Sequence, residues 1–406
     1  MKKLLLSPML RSVIIYGASG LGFAGANLIL ARVLPTTEYG LFTLVIALTN
    51  LSFAMAPIGV DGVVNRRHLE AGPDLLKRTL AAGFLTSLFA LTIAGFAYEI
   101  GTTLLLFVFV TTVGGGAMLV AAAQFQSEQR YGISLALTQS PNVVLIVAAL
   151  VVVWTGIREA RLPLAIATLG FVLAAVIGWW VLFGERAAKP YRETRFSWGE
   201  ALAFAGVSAA GTVLIQIDRL IIPHVLTLHD LATFGVLAAI AGSLFRVLSM
   251  GVGYTLVPRL RAASTVIERR RLIAQEVKLV LTITIAGSIA IWVLTPWIER
   301  SFLAGKYHLG GSLLLAALFS GIAKIMNSFT KNTAVALATT GELATLNWLG
   351  WIAVAMAVLA GVAGARWGLA GLIYGVAFGW LLRALAALHF TLRHLRLPNA
   401  VPVTAP

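Results

Sequence analysis

Residues 102–123, TTLLLFVFVTTVGGGAMLVAAA, form the stretch that decides the class of this protein. The stretch has 22 residues and no charged side chain. About 20 apolar residues in a helix are enough to cross the roughly 30 Å hydrocarbon core of a bilayer. A helix also satisfies its own backbone polar groups within lipid, which an open strand cannot do. The stretch therefore predicts a membrane-spanning helix.

Similar apolar runs recur along the whole chain. The sequence is 59% hydrophobic and 12% charged, whereas soluble domains carry about 25% charged residues. These runs predict an all-α polytopic membrane protein with about twelve transmembrane helices. The predicted spans are residues 12–33, 39–60, 79–98, 102–123, 134–154, 162–183, 199–222, 231–257, 279–297, 311–329, 342–363 and 367–390. The chain has no cysteine, which excludes disulfides and thiolate metal sites. We predict no metal and no cofactor.

The basic residues lie mainly in alternate loops between the predicted spans. With the amino terminus inside, the cytoplasmic segments hold 21 Lys and Arg residues and the outer segments hold 6. Cytoplasmic loops carry such an excess in multi-pass proteins. The distribution predicts a bacterial inner-membrane protein with both termini in the cytoplasm. It also explains the net charge of +15 without a phosphate-binding groove, so we expect no nucleic-acid partner.

A polar, basic loop at residues 186–198 divides the predicted spans into six and six. We expect an N-terminal lobe at 1–185, a cytoplasmic linker at 186–198, a C-terminal lobe at 199–392 and a cytoplasmic tail at 393–406. A weak internal similarity agrees: ARVL at residues 31–34 closes the first span, and DRLI at 218–221 closes the seventh. Parallel repeats of this kind predict two six-helix lobes around a central cavity.

Three segments carry a resemblance to a known family. They are ILARVLPTTEYGLF at residues 29–42, IDRLII at 217–222 and YTLVPRL at 254–260. The chain resembles the polysaccharide-exporting flippases of the multidrug/oligosaccharidyl-lipid/polysaccharide exporter superfamily. The resemblance implies alternating access and an undecaprenyl-pyrophosphate-linked oligosaccharide as cargo. It also implies polysaccharide polymerase and glycosyltransferases as functional partners.

The chain departs from some of these relatives in length. Twelve tight spans leave no room for the two extra helices that lipid II flippases carry, so lipid II is a less expected cargo. Within the first segment, we interpret Glu38, Tyr39 and Gly40 as a turn with an interfacial aromatic residue rather than as a binding element.

Charged residues at membrane depth are the strongest site candidates, because each costs about 2.5–3.5 kcal/mol on insertion scales. Arg246 lies midway along span eight, and Lys324 and Arg383 lie in the inner halves of spans ten and twelve. Asp218 and Arg219 lie near the outer end of span seven. Positive charge therefore exceeds negative charge in the second lobe. Such a cavity attracts an anion, and the planar guanidinium of arginine suits a diphosphate especially well.

Each candidate also has a structural interpretation. Lys324 and Arg383 can extend to the cytoplasmic interface, Arg32 and Arg219 can anchor the outer interface, and Asp218 can neutralise an arginine on a neighbouring helix. Asn27 and Gln216 can bind sugar hydroxyls or hold helices together. Arg246 is too deep to reach an interface easily. The predicted substrate-binding set is Arg246, Lys324, Arg383, Arg219, Asp218, Arg32, Asn27 and Gln216.

The sequence contains no visible nucleophile–base arrangement, so we predict a transporter and not an enzyme, with no catalytic residues. One alternative is a cation-coupled multidrug exporter of the same fold, which needs buried carboxylates. A less favoured alternative is a membrane-embedded polysaccharide polymerase. Polymerases usually have a large outer loop with catalytic groups, whereas the outer loops here are short.

Overall fold

The computed structural model describes residues 8–186, 196–263 and 265–396. Within these ranges the chain forms thirteen α-helices and no strand. They are α1 (Pro8–Val33), α2 (Thr36–Met55), α3 (Val60–Arg67), α4 (Pro73–Tyr98), α5 (Thr102–Ser127), α6 (Tyr131–Thr155), α7 (Arg161–Arg186), α8 (Trp198–Val225), α9 (Leu228–Ala262), α10 (Val266–Trp297), α11 (Gly311–Leu337), α12 (Thr340–Gly364) and α13 (Gly368–Arg396). A π-helical turn, Ile298–Phe302, follows α10, and a 3₁₀ turn, Ala365–Trp367, precedes α13.

The helices have the lengths that a bilayer requires. Ten stretches of the described chain are long and apolar enough to cross a membrane by length and composition, and one of them, Gly341–Leu395, covers both α12 and α13. The described apolar part of α1, Ser19–Val33, is shorter. Because α3 has only eight residues, the other twelve helices correspond to the twelve predicted spans. The predicted fold class is confirmed.

Several predicted spans differ from the observed helices; span nine, for example, is predicted to begin at residue 279, whereas α10 begins at Val266. Residues 39–60 do not form one helix, because a turn at residues 56–59 separates α2 from α3. Pro57 within this turn cannot donate a helical hydrogen bond, and Ile58 and Gly59 have positive φ angles of 47° and 78°. Predicted span ten ends at residue 329, whereas α11 continues to Leu337. Lys331 therefore lies inside α11, six residues before its end.

The chain packs as two compact units, residues 1–239 and 240–406. The predicted lobes at 1–185 and 199–392 remain a prediction, as does the orientation of the termini. Much of the predicted linker, residues 187–195, and much of the predicted tail, residues 397–406, lie outside the described residues.

In the first unit, small residues and hydroxyl groups bring α5 close to its neighbours. A Cβ atom added to Gly115 would lie 2.6 Å from the Cβ of Phe53, and one added to Gly116 would lie 2.7 Å from the Cβ of Ala56. The hydroxyls of Ser52 and Thr112 are 2.6 Å apart. Such small-residue and polar contacts are typical of helix packing in membranes. The glycines at 114–116 therefore have a packing role.

In the second unit, α12 and α13 cross almost backbone to backbone. A Cβ atom added to Gly364 would lie 2.2 Å from the carbonyl oxygen of Gly371, and one added to Gly375 would lie 2.1 Å from that of Ala360. Glycine is required where backbones approach so closely. A capping box formed by Thr339 and Glu342 begins α12. Helix α13 also packs along α11, and this pair positions the cationic residues described next.

Candidate functional site

A polar stripe runs along one face of α11. Ser320, Lys324, Asn327 and Lys331 are spaced i, i+4, i+7 and i+11, which places them on one side of a helix. Lys324 is the middle residue of α11, with thirteen residues on either side. At about 1.5 Å per residue it lies roughly 20 Å from either helix end. Its position in the inner half of the membrane span stays a prediction.

Helix α13 supplies an arginine and a tryptophan beside this stripe. The Nζ atom of Lys324 lies 5.9 Å from the centroid of the Trp380 ring. Arg383 is only 7% exposed and lies near enough to Lys331 for the two cations to repel each other. We call Lys324, Lys331 and Arg383 the cationic cluster. The structure thus brings two predicted residues together with a third that the sequence interpretation missed.

Three buried polar atoms accompany the cationic cluster on the same two helices. Ser320 Oγ, Asn327 Oδ1 and Trp380 Nε1 are buried and have no hydrogen-bond partner among the described residues. Leaving such a group unsatisfied costs about 1–3 kcal/mol. A hydroxyl and an indole N–H can each donate a hydrogen bond to an anion, so α11 and α13 offer free donors to a polar ligand.

The acidic residues of the second unit lie outside α11 and α13. Residues 240–406 contain only four acids, Glu268, Glu276, Glu299 and Glu342. Arg259 binds Glu276 at 2.8 Å, and His394 lies 2.7 Å from Glu342. Glu299 accepts a hydrogen bond from the backbone N–H of Leu309. Helices α11 and α13 therefore carry positive charge at mid-helix and no carboxylate there.

Arg246, the predicted residue at greatest depth, belongs to α9, but its side chain lies outside the described residues. Its neighbour Phe245 packs against α11, since a Cβ atom added to Gly321 would lie 2.1 Å from the Phe245 ring. The backbone of Arg246 therefore lies close to the part of α11 that contains Ser320 and Lys324.

Three predicted residues form a second group on α8, in the first unit. Asp218 is 1% exposed and Gln216 is 7% exposed. Arg219 donates a hydrogen bond to Gln216 Oε1 at 2.9 Å, and its guanidinium lies 5.9 Å from the centroid of the Phe234 ring. These contacts tie Arg219 to its own helix and to α9, which favours a structural role for it.

Two further predicted residues lie on α1. Asn27 is 7% exposed, and its side-chain amide donates to the carbonyl oxygen of Phe23 at 2.8 Å. Arg32 lies in the last turn of α1 and is exposed. A cation in the last turn interacts favourably with the helix dipole. The Asn27 contact is a bond within one helix, which matches the helix-stabilising interpretation better than sugar binding.

The segment Glu38-Tyr39-Gly40 has a structural role that corrects its interpretation as a turn. All three residues lie in the first turns of α2. Glu38 Oε2 accepts a hydrogen bond from the backbone N–H of Ala160 at 2.7 Å, just before α7 begins. Tyr39 is fully buried within the protein. A Cβ atom added to Gly40 would lie 2.4 Å from the carbonyl oxygen of Leu228.

Comparison with known proteins identifies the fold. Neither a scan against protein-family models nor a search of curated proteins found a match. Solved structures do match, at 12–14% sequence identity. An inward-facing multidrug resistance MATE family transporter of the MOP superfamily matches 94% of this chain and 98% of its own, at 13% identity, with a TM-score of 0.65. An outward-facing MATE transporter of the same superfamily matches 97% of each chain at 14% identity, with a TM-score of 0.61.

The lipid II flippase MurJ, in an inward closed conformation, is similar to the same extent. It matches 94% of this chain and 87% of its own at 12% identity, with a TM-score of 0.64. Agreement over nearly the full chain at such low identity reflects common architecture rather than shared site residues. The chain therefore has the fold of MATE transporters of the MOP superfamily and of the flippase MurJ.

Proposed function

We propose that this protein is a flippase for an anionic lipid-linked sugar. The cargo is an undecaprenyl-pyrophosphate-linked oligosaccharide repeat unit, moved from the cytoplasmic to the outer leaflet of a bacterial inner membrane for cell-surface polysaccharide synthesis. The observation that carries the proposal is the cationic cluster Lys324, Lys331 and Arg383 on two helices that have no mid-helix carboxylate. Polysaccharide polymerase and glycosyltransferases belong to the proposal as the enzymes that use and supply the cargo.

The physical argument starts from the cost of these charges. Charged residues within membrane helices are rare and usually functional, and an arginine with two lysines matches the oxygens of a diphosphate. Ser320 and Trp380 add donors beside them. In this mechanism the headgroup enters the protein while the polyprenyl tail stays in lipid. Alternating access then exposes the headgroup on the other side, as in transporters built from parallel repeats.

Charge-removing substitutions test this proposal. Lys324→Gln and Arg383→Gln should each slow flipping of a polyprenyl-pyrophosphate-linked saccharide in proteoliposomes by about 10- to 100-fold, because one charge-assisted bond to the headgroup is lost. Arg366→Gln is the matched control, since Arg366 is exposed in the turn before α13. Size-exclusion chromatography checks that all three variants remain folded. Wild-type flipping by both cluster variants would contradict the proposal.

A second candidate function is cation-coupled export of a drug, in line with the MATE transporters of the same fold. The observation in its favour is Asp218, a carboxylate that is 1% exposed in the middle of the chain. Buried carboxylates in membrane helices commonly serve ion pathways. Two results together would favour this candidate. The Asp218→Asn variant would lose Na⁺- or H⁺-driven transport of a cationic dye, and the unaltered protein would not flip the anionic lipid.

A further inference from the structure

An ion-pair group joins α3 to α8 on the predicted cytoplasmic side. An Nη atom of Arg67 lies 2.6 Å from Glu200 Oε2, and one of Arg66 lies 3.5 Å from Glu200 Oε1. The Glu200 side chain is 13% exposed, whereas those of Arg66 and Arg67 are 70% and 45% exposed. One shielded carboxylate therefore binds two arginines that face solvent. We call Arg66, Arg67 and Glu200 the Glu200 latch.

The Glu200 latch lies over a close contact between backbones. A Cβ atom added to Gly59 would lie 1.9 Å from the carbonyl oxygen of Ala201, and one added to Gly62 would lie 2.7 Å from the Phe204 ring. Ala201 is fully buried. Helix α3 is a separate eight-residue segment that follows the turn at residues 56–59. Hinge motions generally arise from a few dihedral changes in a short turn of this kind.

The other end of α8 is held by neutral contacts. Tyr98 donates its hydroxyl hydrogen to the carbonyl oxygen of Leu220 at 2.9 Å, and its ring centroid lies 4.6 Å from that of His224. Residues 200 and 224 are about 36 Å apart along the helix at 1.5 Å per residue. Helix α8 is thus fixed to the preceding helices at both ends, and the contact at the predicted cytoplasmic end is the one that depends on ion pairs.

We infer that Glu200 occupies an entry site for the anionic headgroup. This inference rests on the proposed function. Arginine binds phosphate oxygens through two parallel N–H bonds, so a diphosphate competes with the Glu200 carboxylate for Arg66 and Arg67. When the headgroup binds the arginines, Glu200 is displaced, α3 separates from α8, and the cytoplasmic side opens. The Glu200 latch is therefore an autoinhibitory contact that the cargo itself releases.

A purely local role for Glu200 makes a different prediction. Glu200 lies in the first turn of α8, where a carboxylate interacts favourably with the helix dipole, and its backbone N–H donates to the Ser197 hydroxyl. If this role were the whole role, replacing Glu200 would loosen α8, and replacing Arg66 and Arg67 would change nothing. The double variant Arg66→Gln/Arg67→Gln separates the two roles.

Thiol labelling tests the latch, because the chain contains no cysteine. The full-length protein with the single substitution Ala201→Cys is placed in lipid nanodiscs and reacted with a hydrophilic maleimide. Glu200→Gln and Arg66→Gln/Arg67→Gln should each raise the labelling rate about tenfold, as expected for loss of a shielded charge pair. Lys77→Gln, which removes an exposed charge on the same predicted side, should leave the rate unchanged. Unchanged labelling in either latch variant would overturn the inference.

Inorganic pyrophosphate tests whether an anion releases the latch. It should speed labelling of Ala201→Cys more than sodium chloride does at equal ionic strength. It should have no such effect in Arg66→Gln/Arg67→Gln, which lacks the arginines, or in Glu200→Gln, in which the latch is already open. If pyrophosphate and chloride raise the labelling rate equally in Ala201→Cys with the latch intact, the headgroup does not release the latch.

The latch and the proposed function fail in distinguishable ways. If labelling depends on the latch but the protein does not flip the lipid-linked saccharide, the Glu200 latch is supported and the proposed cargo is wrong. If the protein flips that saccharide but the latch variants do not change labelling, the proposed cargo is supported and the Glu200 latch is wrong.

Discussion

Gly40 lies where α2 meets the start of α9, and no larger residue fits there. A Cβ atom would lie 2.4 Å from the backbone oxygen of Leu228, which cannot move away as a flexible side chain can. We predict that Gly40→Ala lowers the free energy of unfolding by about 1–3 kcal/mol, the usual effect of overpacking. Thermal unfolding in detergent measures it. Gly25→Ala is the control, since a Cβ atom there has nothing within 4 Å; equal stability of the two variants would contradict the packing argument.

The candidate site could be predicted in part at the level of single residues. Lys324 and Arg383 stood out because each is a charge within an apolar run. Lys331 did not, because it follows Thr330 and precedes Asn332, a polar stretch that resembles a helix end in sequence. The helix continues nonetheless, and its stripe of Ser320, Lys324, Asn327 and Lys331 is a helical spacing that could have revealed the residue.

Helix α3 carries an acidic residue whose environment disfavours its charge. Asp61 is partly buried in the first turn of α3, and burial raises the pKa of its carboxyl group above the usual value, while hydrogen bonds from its own backbone N–H and that of Gly62 lower it by less. A group with a raised folded-state pKa stabilises the fold below its unfolded-state pKa of about 3.9, and this contribution is lost as pH rises through the folded-state pKa.

We therefore predict that Asp61→Asn stabilises the protein more at pH 8 than at pH 4. At pH 8 the unaltered side chain must hold a buried charge, whereas at pH 4 it binds a proton more readily. Unfolding temperatures of the variant and the unaltered protein at both values provide the measurement. Asp74→Asn, on an exposed side chain at the start of α4, is the control. A larger increase in unfolding temperature for Asp61→Asn at pH 4 than at pH 8 would contradict the prediction.

Most helices could be predicted from sequence because each apolar run must be long enough to cross lipid. This requirement sets length and not local geometry, so it missed the break between α2 and α3. The sequence signal for that break was Pro57 followed by Ile58 and Gly59. A close backbone approach of Gly59 to Ala201 accompanies the break, and contacts between residues so far apart in sequence cannot be predicted from composition or periodicity.

At the scale of the whole molecule, the proposed anionic cargo and a cation-coupled drug predict different responses to the membrane potential. Residues 240–406 hold four acids, none of them on α11 or α13, and Lys324 and Arg383 of the cationic cluster lie near the middle of those two helices. An anionic headgroup moving outward carries negative charge along an inside-negative potential. The work is about 2.3 kcal/mol per charge per 100 mV, which corresponds to a ratio of about 50-fold for each net negative charge. For the proposed cargo, the potential alone is therefore sufficient to drive export without nucleotide hydrolysis.

We predict that the membrane potential sets the direction of transport. In proteoliposomes with a potassium diffusion potential of about 100 mV, a polyprenyl-pyrophosphate-linked saccharide should accumulate in the leaflet facing the positive side, and reversing the potential should reverse the distribution. Fluorescence quenching by an impermeant reagent measures the fraction in each leaflet, with protein-free liposomes as the control. A cation-coupled exporter gives a different result, in which a Na⁺ or proton gradient drives transport and the Asp218→Asn variant loses that dependence. Insensitivity of the saccharide distribution to the sign of the potential would contradict electrophoretic export, because a net-negative headgroup cannot cross the field without doing electrical work.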